Sequence, residues 1–180
     1  MRILGIDPGS NATGYGVVDQ SRGKLVHIDH GVLRPPKDSP AADRLAFIHR
    51  ELLRIVGEWE PDACAVERIF VAANPRSALV LGQARGVALA ALGTSAIPVH
   101  ELSAREVKKA VVGTGTASKS QIQAMVQRLL ELGKAPPSDA ADALAIAICQ
   151  AHAGKLTGLG VRRGRGRRPR ARGRFAMRNS

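Results

Sequence analysis

The strongest constraint on the fold comes from a segment near the end of the chain, SDAADALAIAICQAHA, over residues 138–153. Alanine, leucine and isoleucine occupy nearly every side of a helix drawn through this segment, and a helix that is apolar all round is buried. Asp139 and Asp142 are its only charged residues when His152 is neutral. Their three-residue spacing puts both carboxylates on one face. The fold must therefore bury a helix that carries two acids.

The segments before this helix predict an α/β protein. Three strand-like runs come first and predict an antiparallel meander, and helices and strands alternate after them, which indicates a mixed five-stranded sheet flanked by helices. The predicted strands cover 2–8, 14–20, 24–33, 62–67 and 97–102, and the predicted helices before the buried one cover 43–59, 76–92, 103–112 and 118–132.

Two of these strands end on a carboxylate that does not fit a purely structural role. Asp7 follows the apolar run ILGI, and Glu67 follows ACAV. Burial of an unpaired carboxylate is costly, so something must compensate each charge. Asp7 and Glu67 would repel Asp139 and Asp142 if the fold brought all four together, unless divalent cations lay between them. For Asp139 alone, capping of its own helix is an alternative role.

Four carboxylates without histidine or cysteine partners favour Mg²⁺ or Mn²⁺ over zinc, because these hard cations prefer oxygen ligands. Two such ions about 3.5 to 4 Å apart could activate a water molecule and stabilise the leaving oxygen of a phosphodiester. The residues thus indicate metal-dependent phosphoryl chemistry.

The charge of the chain is concentrated at its end. Of the net charge of +12, nearly all lies in residues 155–180, which hold one lysine, nine arginines and no acid. We therefore expect a folded domain over 1–154 and a disordered basic arm over 155–180 that neutralises nucleic-acid phosphates. A solubilising tail or a segment that binds another anionic surface is the alternative.

Several function classes are disfavoured. Cys64 and Cys149 lack zinc-ligand spacing and are expected to be free core thiols. No apolar run approaches the roughly 18 residues of a membrane span, and no signal peptide precedes the first strand, so we expect a cytoplasmic protein. GTGTASKS departs from a phosphate-binding P-loop at Ser118. The turn after Asp7 is similar to that of actin-like ATPases, which need two lobes.

Four stretches, GIDPGSNATGYG, VERIF followed by NPRSALVLGQARGV, AREVKKAVVGTGTASKSQIQ and SDAADALAIAI, resemble the RuvC family of crossover junction endodeoxyribonucleases in order and spacing. The resemblance covers about residues 1–153. It implies a ribonuclease-H-like fold, a homodimer, and resolution of four-way Holliday junctions by paired nicks that leave ligatable ends. It also suggests RuvA and RuvB as partners. The family's catalytic, metal-binding acids match Asp7, Glu67, Asp139 and Asp142.

The resemblance implies DNA-binding roles for three further residues, and a fourth is expected to share that role. Phe70 matches an aromatic that distorts or stacks on bases, although it could instead fold back onto the core. Arg76, at the start of the next helix, is also expected to bind DNA. Lys108 and Lys119 match basic positions near the DNA backbone and the active site, although Lys108 could equally lie on a solvated helix face.

Two local patterns bear on these assignments. Ser118 and Gln121 have the spacing of a capping box, which puts Lys119 in the first turn of a helix where a phosphate could bind. Gly82 and Gly86 lie four residues apart on one side of the 76–92 helix, so another helix could approach closely there. In the family this region contributes to the dimer interface, but packing within one chain would use the same pattern.

Two other functions remain open from the sequence alone: cleavage of the RNA strand of a hybrid, and junction binding without catalysis. All four acids are present, which favours catalysis, and the motifs are those of the resolvases. The arginine-rich tail has no counterpart among these motifs, so its role is predicted from its charge alone.

Overall fold

The computed structural model describes residues 1–68 and 74–157, with side chains as far as residue 154. The elements in this part are β1 (Arg2–Asp7), β2 (Thr13–Ser21), β3 (Lys24–Leu33), α1 (Ala41–Trp59), β4 (Ala63–Glu67), α2 (Pro75–Thr94), β5 (Val99–Leu102), α3 (Ala104–Val112), α4 (Lys119–Leu129) and α5 (Ser138–Thr157). Every predicted strand and helix is present in the predicted order. The mixed α/β fold class is confirmed.

The sheet has the order β3-β2-β1-β4-β5. β1 pairs antiparallel with β2, which pairs antiparallel with β3, whereas β1, β4 and β5 run parallel. The predicted meander is therefore followed by two parallel strands. Ile6 pairs with Val66, so the carboxyl ends of β1 and β4 meet at one edge of the sheet. The next residues along these strands are Asp7 and Glu67.

Each face of the sheet is covered by helices. Leu4, Ile6 and Cys64 belong to the core beneath α1 and α2. Ile3 and Ala65, which point to the opposite face, belong to a second core with α3, α4 and α5. α5 contacts β1 and β2 on one side and α3 and α4 on the other, which explains why it is apolar all round.

Two glycines let α5 approach the sheet at backbone distance. A Cβ atom built on Gly5 would lie 2.2 Å from the carbonyl oxygen of Ala143, and one on Gly14 would lie 2.0 Å from that of Asp139. Real side chains cannot occupy these positions, so β1 and β2 need glycine where the helix crosses them. The first turn of α5 consequently lies directly over the sheet near the end of β1.

One side of α2 is free of contacts within the described chain. α1 packs along α2, whose side chains Ala84, Ala88 and Ala91 are fully buried, whereas a Cβ atom on Gly82 or Gly86 would meet nothing within 4 Å. The glycines therefore do not serve packing within the part of the chain that the structure describes.

α2 also bears on the expectation that no segment could span a membrane. By length and composition, this one helix among the described residues is apolar enough to cross a bilayer. A single such helix is weak evidence for a membrane span, because core helices of soluble proteins pass the same test.

The largest differences from the predicted boundaries are at the ends of α4 and α5. α4 ends at Leu129 instead of 132, and Glu131 just beyond it has a left-handed backbone that a helix cannot continue through. α5 passes the predicted end at 153 and continues through Gly154 to Thr157, since a single glycine costs a helix only about 1 kcal/mol. Cys64 and Cys149 are buried and free, as expected. Phe70 and the tail beyond 157 lie outside the described residues, so the predictions made for them stand untested.

Candidate active site

The carboxylates of β1 and β4 lie on the face of the sheet that α5 covers. Side chains alternate along a strand, and Ile3 and Ala65 both pack into the core on the α5 side. Asp7, four residues after Ile3, and Glu67, two after Ala65, therefore share that face.

α5 brings a third carboxylate to the same place. A cleft of about 300 Å³ opens at this edge of the sheet and includes Asp7, Glu67 and Asp142 in its lining. Its walls are completed by α3 and α4, through Ala104, Val107, Lys108, Lys119, Ile122 and Ile146. Of the predicted DNA-binding residues, Lys108 and Lys119 line this cleft. Lys108 thus lies beside the carboxylates of the cleft, and its DNA-binding role stays a prediction.

Asp139 lies at the edge of this cleft and not in its lining. Its carboxylate faces the guanidinium of Arg34, with 3.5 Å between Oδ2 and Nη2. It still belongs to the same electrostatic cluster, because its charge raises the pKa of Asp7. The four predicted acids therefore form one cluster, with three in the cleft and one at its rim.

Burial and mutual repulsion shape the titration of this cluster. Burial, then the charges of Asp142 and Glu67, raise the pKa of Asp7 from 3.8 to about 7. Burial and the charge of Asp142 likewise raise the pKa of Glu67. A buried carboxylate with a raised pKa beside other carboxylates is a common property of catalytic and cation-binding sites.

Lys119 supplies a positive charge opposite these acids. Its Nζ atom donates to Oδ2 of Asp142 at 3.3 Å, and the Asp142 charge raises the pKa of Lys119. The predicted capping box is confirmed: Ser118 Oγ accepts from the Gln121 amide, and the Ser118 amide donates to Gln121 Oε1 at 2.8 Å. This cap fixes the first turn of α4, which carries Lys119 at the mouth of the cleft.

Arg34 is the neighbour of the acids that the sequence analysis did not identify. It follows the last residue of β3, a strand that runs parallel to β1 because both are antiparallel to β2. The ends of β3 and β1 therefore lie at the same edge of the sheet. The sequence could have predicted this position of Arg34, because in an antiparallel meander the first and third strands end at the same edge of the sheet.

The loop after β1 is fixed by two side chains. The Thr13 hydroxyl donates to the carbonyl oxygen of Gly9 at 2.8 Å. Arg44 on α1 donates to the carbonyl oxygen of Ser10 at 2.7 Å and to the side chain of Asn11. These bonds hold the turn that follows the β1 carboxylate.

The end of β4 is supported from the other face of the sheet. Arg85 on α2 donates to the carbonyl oxygen of Glu67 at 3.1 Å and pairs with Glu101 on β5. The strand end that carries Glu67 is thereby tied to both neighbouring elements.

The donor chemistry of the cluster suits hard divalent cations, because every candidate ligand is a carboxylate oxygen. Within residues 1–68 and 74–157, no three acidic, histidine or cysteine side chains are gathered closely enough to hold one ion as they stand. Asp142 and Asp139 are instead directed at Lys119 and Arg34. A bound cation would compete with these two basic side chains for the carboxylate oxygens.

Arg76 does not line the cleft. It is an exposed residue in the first turn of α2, where its amide donates to Oδ1 of the capping residue Asn74. It lies three residues after the segment 69–73, which contains Phe70 and which the structure does not describe.

Comparison with known proteins gives one family over most of the chain. A profile described as crossover junction endodeoxyribonuclease RuvC matches residues 3–150. A protein of that name from Marinobacter nauticus is 51% identical over 174 residues, which cover 93% of this chain and 98% of the relative. Another from Syntrophotalea carbinolica is 51% identical over 159 residues, which cover 88% of this chain and 99% of the relative.

A solved structure extends the likeness to the fold. Thermus thermophilus RuvC in complex with a Holliday junction substrate superposes with a TM-score of 0.82 at 34% identity, covering 87% of this chain and 96% of that one. The mixed sheet flanked by helices is therefore the ribonuclease-H-like fold that the resemblance implied. The chain belongs to the RuvC family of crossover junction endodeoxyribonucleases.

Proposed function

We propose that this protein resolves four-way Holliday junctions in recombination and repair, by paired nicks that leave ligatable ends. The observation that carries the proposal is the cleft in which carboxylates from β1, β4 and α5 face Lys108 and Lys119. Such a cleft combines oxygen ligands for cations with positive charge for a phosphate. Its occurrence in a chain of the RuvC family favours junction DNA as the substrate, since the Thermus thermophilus protein was solved in complex with a Holliday junction substrate.

Asp7, Glu67 and Asp142, with Asp139 at the rim, would hold two Mg²⁺ ions, with Mn²⁺ as the alternative. Bound there, the ions would lower the pKa of an attacking water and stabilise charge on the leaving oxygen. Cation binding also explains why a fold would keep buried carboxylates whose pKa values are raised by each other's charges.

Lys108, Lys119 and Arg34 bind and orient the phosphate. Lys119 and Arg34 each lie within 3.5 Å of a carboxylate oxygen at the border of the cleft. A DNA phosphate offers them a competing anion, and the turn of either side chain would bring positive charge to the strand to be cut. Phe70 and Arg76 are proposed to contact DNA beside this site, and the basic tail to bind the backbone without sequence preference.

The protein is proposed to act as a homodimer in the cytoplasm. Leu79 is 65% exposed and Val80 is 38% exposed on α2, beside the open positions of Gly82 and Gly86. An apolar helix face with small residues suits close packing against a second copy. Two active sites per particle would match the two strands cut at a junction. RuvA and RuvB are the proposed branch-migration partners.

The test is incubation with a labelled four-way junction, a duplex of the same sequence and an RNA/DNA hybrid, each with and without Mg²⁺. We expect symmetric nicks confined to the junction, only when Mg²⁺ is present, and sealed by ligase. Cleavage of the hybrid alone would contradict the proposal. Asp7→Asn serves as the control: nicking should be lost while junction binding is retained.

A further inference from the structure

A second cleft adjoins the first along α3. It has a volume of about 500 Å³ and is lined by Ala104, Arg105, Lys108, Thr114, Gly115 and Thr116. Ala104 and Lys108 also line the cleft that holds the carboxylates. The two clefts therefore share a wall, and a ligand that extends from one would enter the other.

The second cleft is formed by both ends of α3. A capping box between Ser103 and Glu106 starts the helix, and two of its three basic residues, Arg105 and Lys108, lie one turn apart. Gly113 ends the helix in the left-handed conformation with φ of 85°, which favours glycine. The chain then continues into the Thr114 to Thr116 segment that forms the other side of the cleft.

Arg105 lies directly against this segment. A Cβ atom on Gly115 would be 2.8 Å from Cγ of Arg105, so a side chain at this position would have to displace the arginine. The hydroxyls of Thr114 and Thr116 are 3.0 Å apart and share a hydrogen bond. The cleft thus presents cations on one side and a pair of hydroxyl groups on the other.

This lining suits a phosphodiester anion. It contains two cations, two hydroxyl groups and no carboxylate. Glu106 follows Arg105 in the sequence but does not line this cleft. Its carboxylate contacts the start of the helix, where it accepts from the Ser103 amide at 2.7 Å. A guanidinium group and hydroxyl donors are the groups that most often contact backbone phosphates in nucleic-acid complexes.

We propose that the second cleft binds a phosphate adjacent to the scissile phosphate on the strand being cut, with Arg105 and Thr116 as its new contacts. The inference rests on the proposed function, because it takes the first cleft as the cutting site. The shared Lys108 then lies between two successive phosphates. Arg105 fixes the register of the strand and touches no reacting atom.

The test uses four-way junctions in which single phosphates on either side of the cut are replaced by neutral methylphosphonates. Their dissociation constants are measured without divalent cations for the wild type and for Arg105→Gln. We expect one position at which the methylphosphonate weakens wild-type binding about tenfold, because one charge-assisted hydrogen bond is lost there. Arg105→Gln should bind the unmodified junction about tenfold more weakly, and its further loss at that one position should be clearly smaller than that of the wild type.

Lys109→Gln is the matched control. It removes one positive charge from the same helix, but Lys109 lines neither cleft. This variant should keep the wild-type pattern of sensitivity across all positions. Thr116→Val removes a hydroxyl without changing the charge. It should reduce the loss of binding caused by the neutral phosphate, at the same position as in Arg105→Gln. If Arg105→Gln fails to fold, Thr116→Val provides the test.

The inference is overturned if Arg105→Gln and Thr116→Val keep the full wild-type loss at every neutralised position. The proposed function is judged separately in the same titrations, by whether the wild type prefers the junction to a duplex. A wild type without that preference counts against the proposed function. An unchanged phosphate pattern in the variants counts against the second cleft alone.

Discussion

Gly14 on β2 lies directly beneath the carbonyl group of Asp139, so close that a Cβ atom on the glycine would be 2.0 Å from that oxygen. The same kind of approach joins Gly5 on β1 to Ala143, one turn farther along α5. These contacts set the height of the helix above the sheet. They thereby set how far the α5 carboxylates stand from the carboxylates of the strands.

Gly14→Ala is therefore expected to lift the start of α5. An added methyl group in such a packed position typically costs about 1 to 3 kcal/mol of unfolding free energy, and we also expect junction nicking to fall at least tenfold. Urea unfolding and single-turnover cleavage measure the two effects. Gly57→Ala is the control, because its Cβ atom would meet nothing within 4 Å. Wild-type nicking by Gly14→Ala would contradict this role.

The raised pKa of Asp7 predicts how stability depends on pH in protein stripped of divalent cations. The folded protein keeps the Asp7 proton up to a pKa of about 7, whereas the unfolded chain releases it above 3.8. Unfolding free energy contributed by this group therefore falls as the pH rises from about 4 to 7 and is constant above that.

Asp7→Asn removes this dependence. The variant should be more stable than the wild type at pH 8, and its advantage should be smaller at pH 5.5 by about 2 kcal/mol, since each pH unit in this window is worth about 1.4 kcal/mol. Urea unfolding of both proteins in EDTA at the two pH values measures the difference. An equal advantage at both values would show that Asp7 does not titrate in this range.

Arg34→Gln should separate binding from stability. The pair with Asp139 is exposed, with the arginine side chain 64% accessible, and exposed pairs contribute at most about 1 kcal/mol to folding. We expect little change in thermal stability but several-fold weaker junction binding, because a cation is lost beside the cleft. Arg50→Gln, an exposed arginine on α1, is the control. Equal effects of the two variants on binding would argue against a role for Arg34.

Gly82→Glu tests the open side of α2. The position has no neighbour within 4 Å in the described chain, so the monomer should keep its secondary structure by circular dichroism. A charged side chain on a helix face that packs against a second copy should instead raise the dimer dissociation constant by at least tenfold. Sedimentation equilibrium measures it, with Gly57→Glu as the control. A dimer as tight as the wild type would place the interface elsewhere.

Removal of residues 158–180 should weaken junction binding and reduce its salt dependence. The deleted segment contains all nine arginines of the tail. If two or three of them contact phosphates, the slope of log binding constant against log salt should become shallower by about two. Titrations at several salt concentrations measure the slope, and preference for the junction over a duplex should persist. An unchanged slope would exclude a DNA-binding role for the tail.

The sequence alone determined the order of strands and helices, the burial of α5 and which four acids do not fit a purely structural role. Each follows from local properties. The spacing of apolar residues predicts a helix or a strand, and a carboxylate within an apolar segment is recognised because its burial would be costly. The ends of parallel strands could even be expected to bring Asp7 and Glu67 together. Lys119 was predicted correctly in the first turn of α4 because the capping box is contained in four consecutive residues.

Only the tertiary structure decided which side chains meet across the sheet and between helices. It put Asp139 at the rim against Arg34, directed Lys119 at Asp142, and joined Arg105 to the loop at Gly115. It also decided which side of α2 is covered by α1. These contacts depend on the height and angle at which elements pack, which are set by many remote residues together and by two glycines beneath α5. Spacing within one segment carries no information about them.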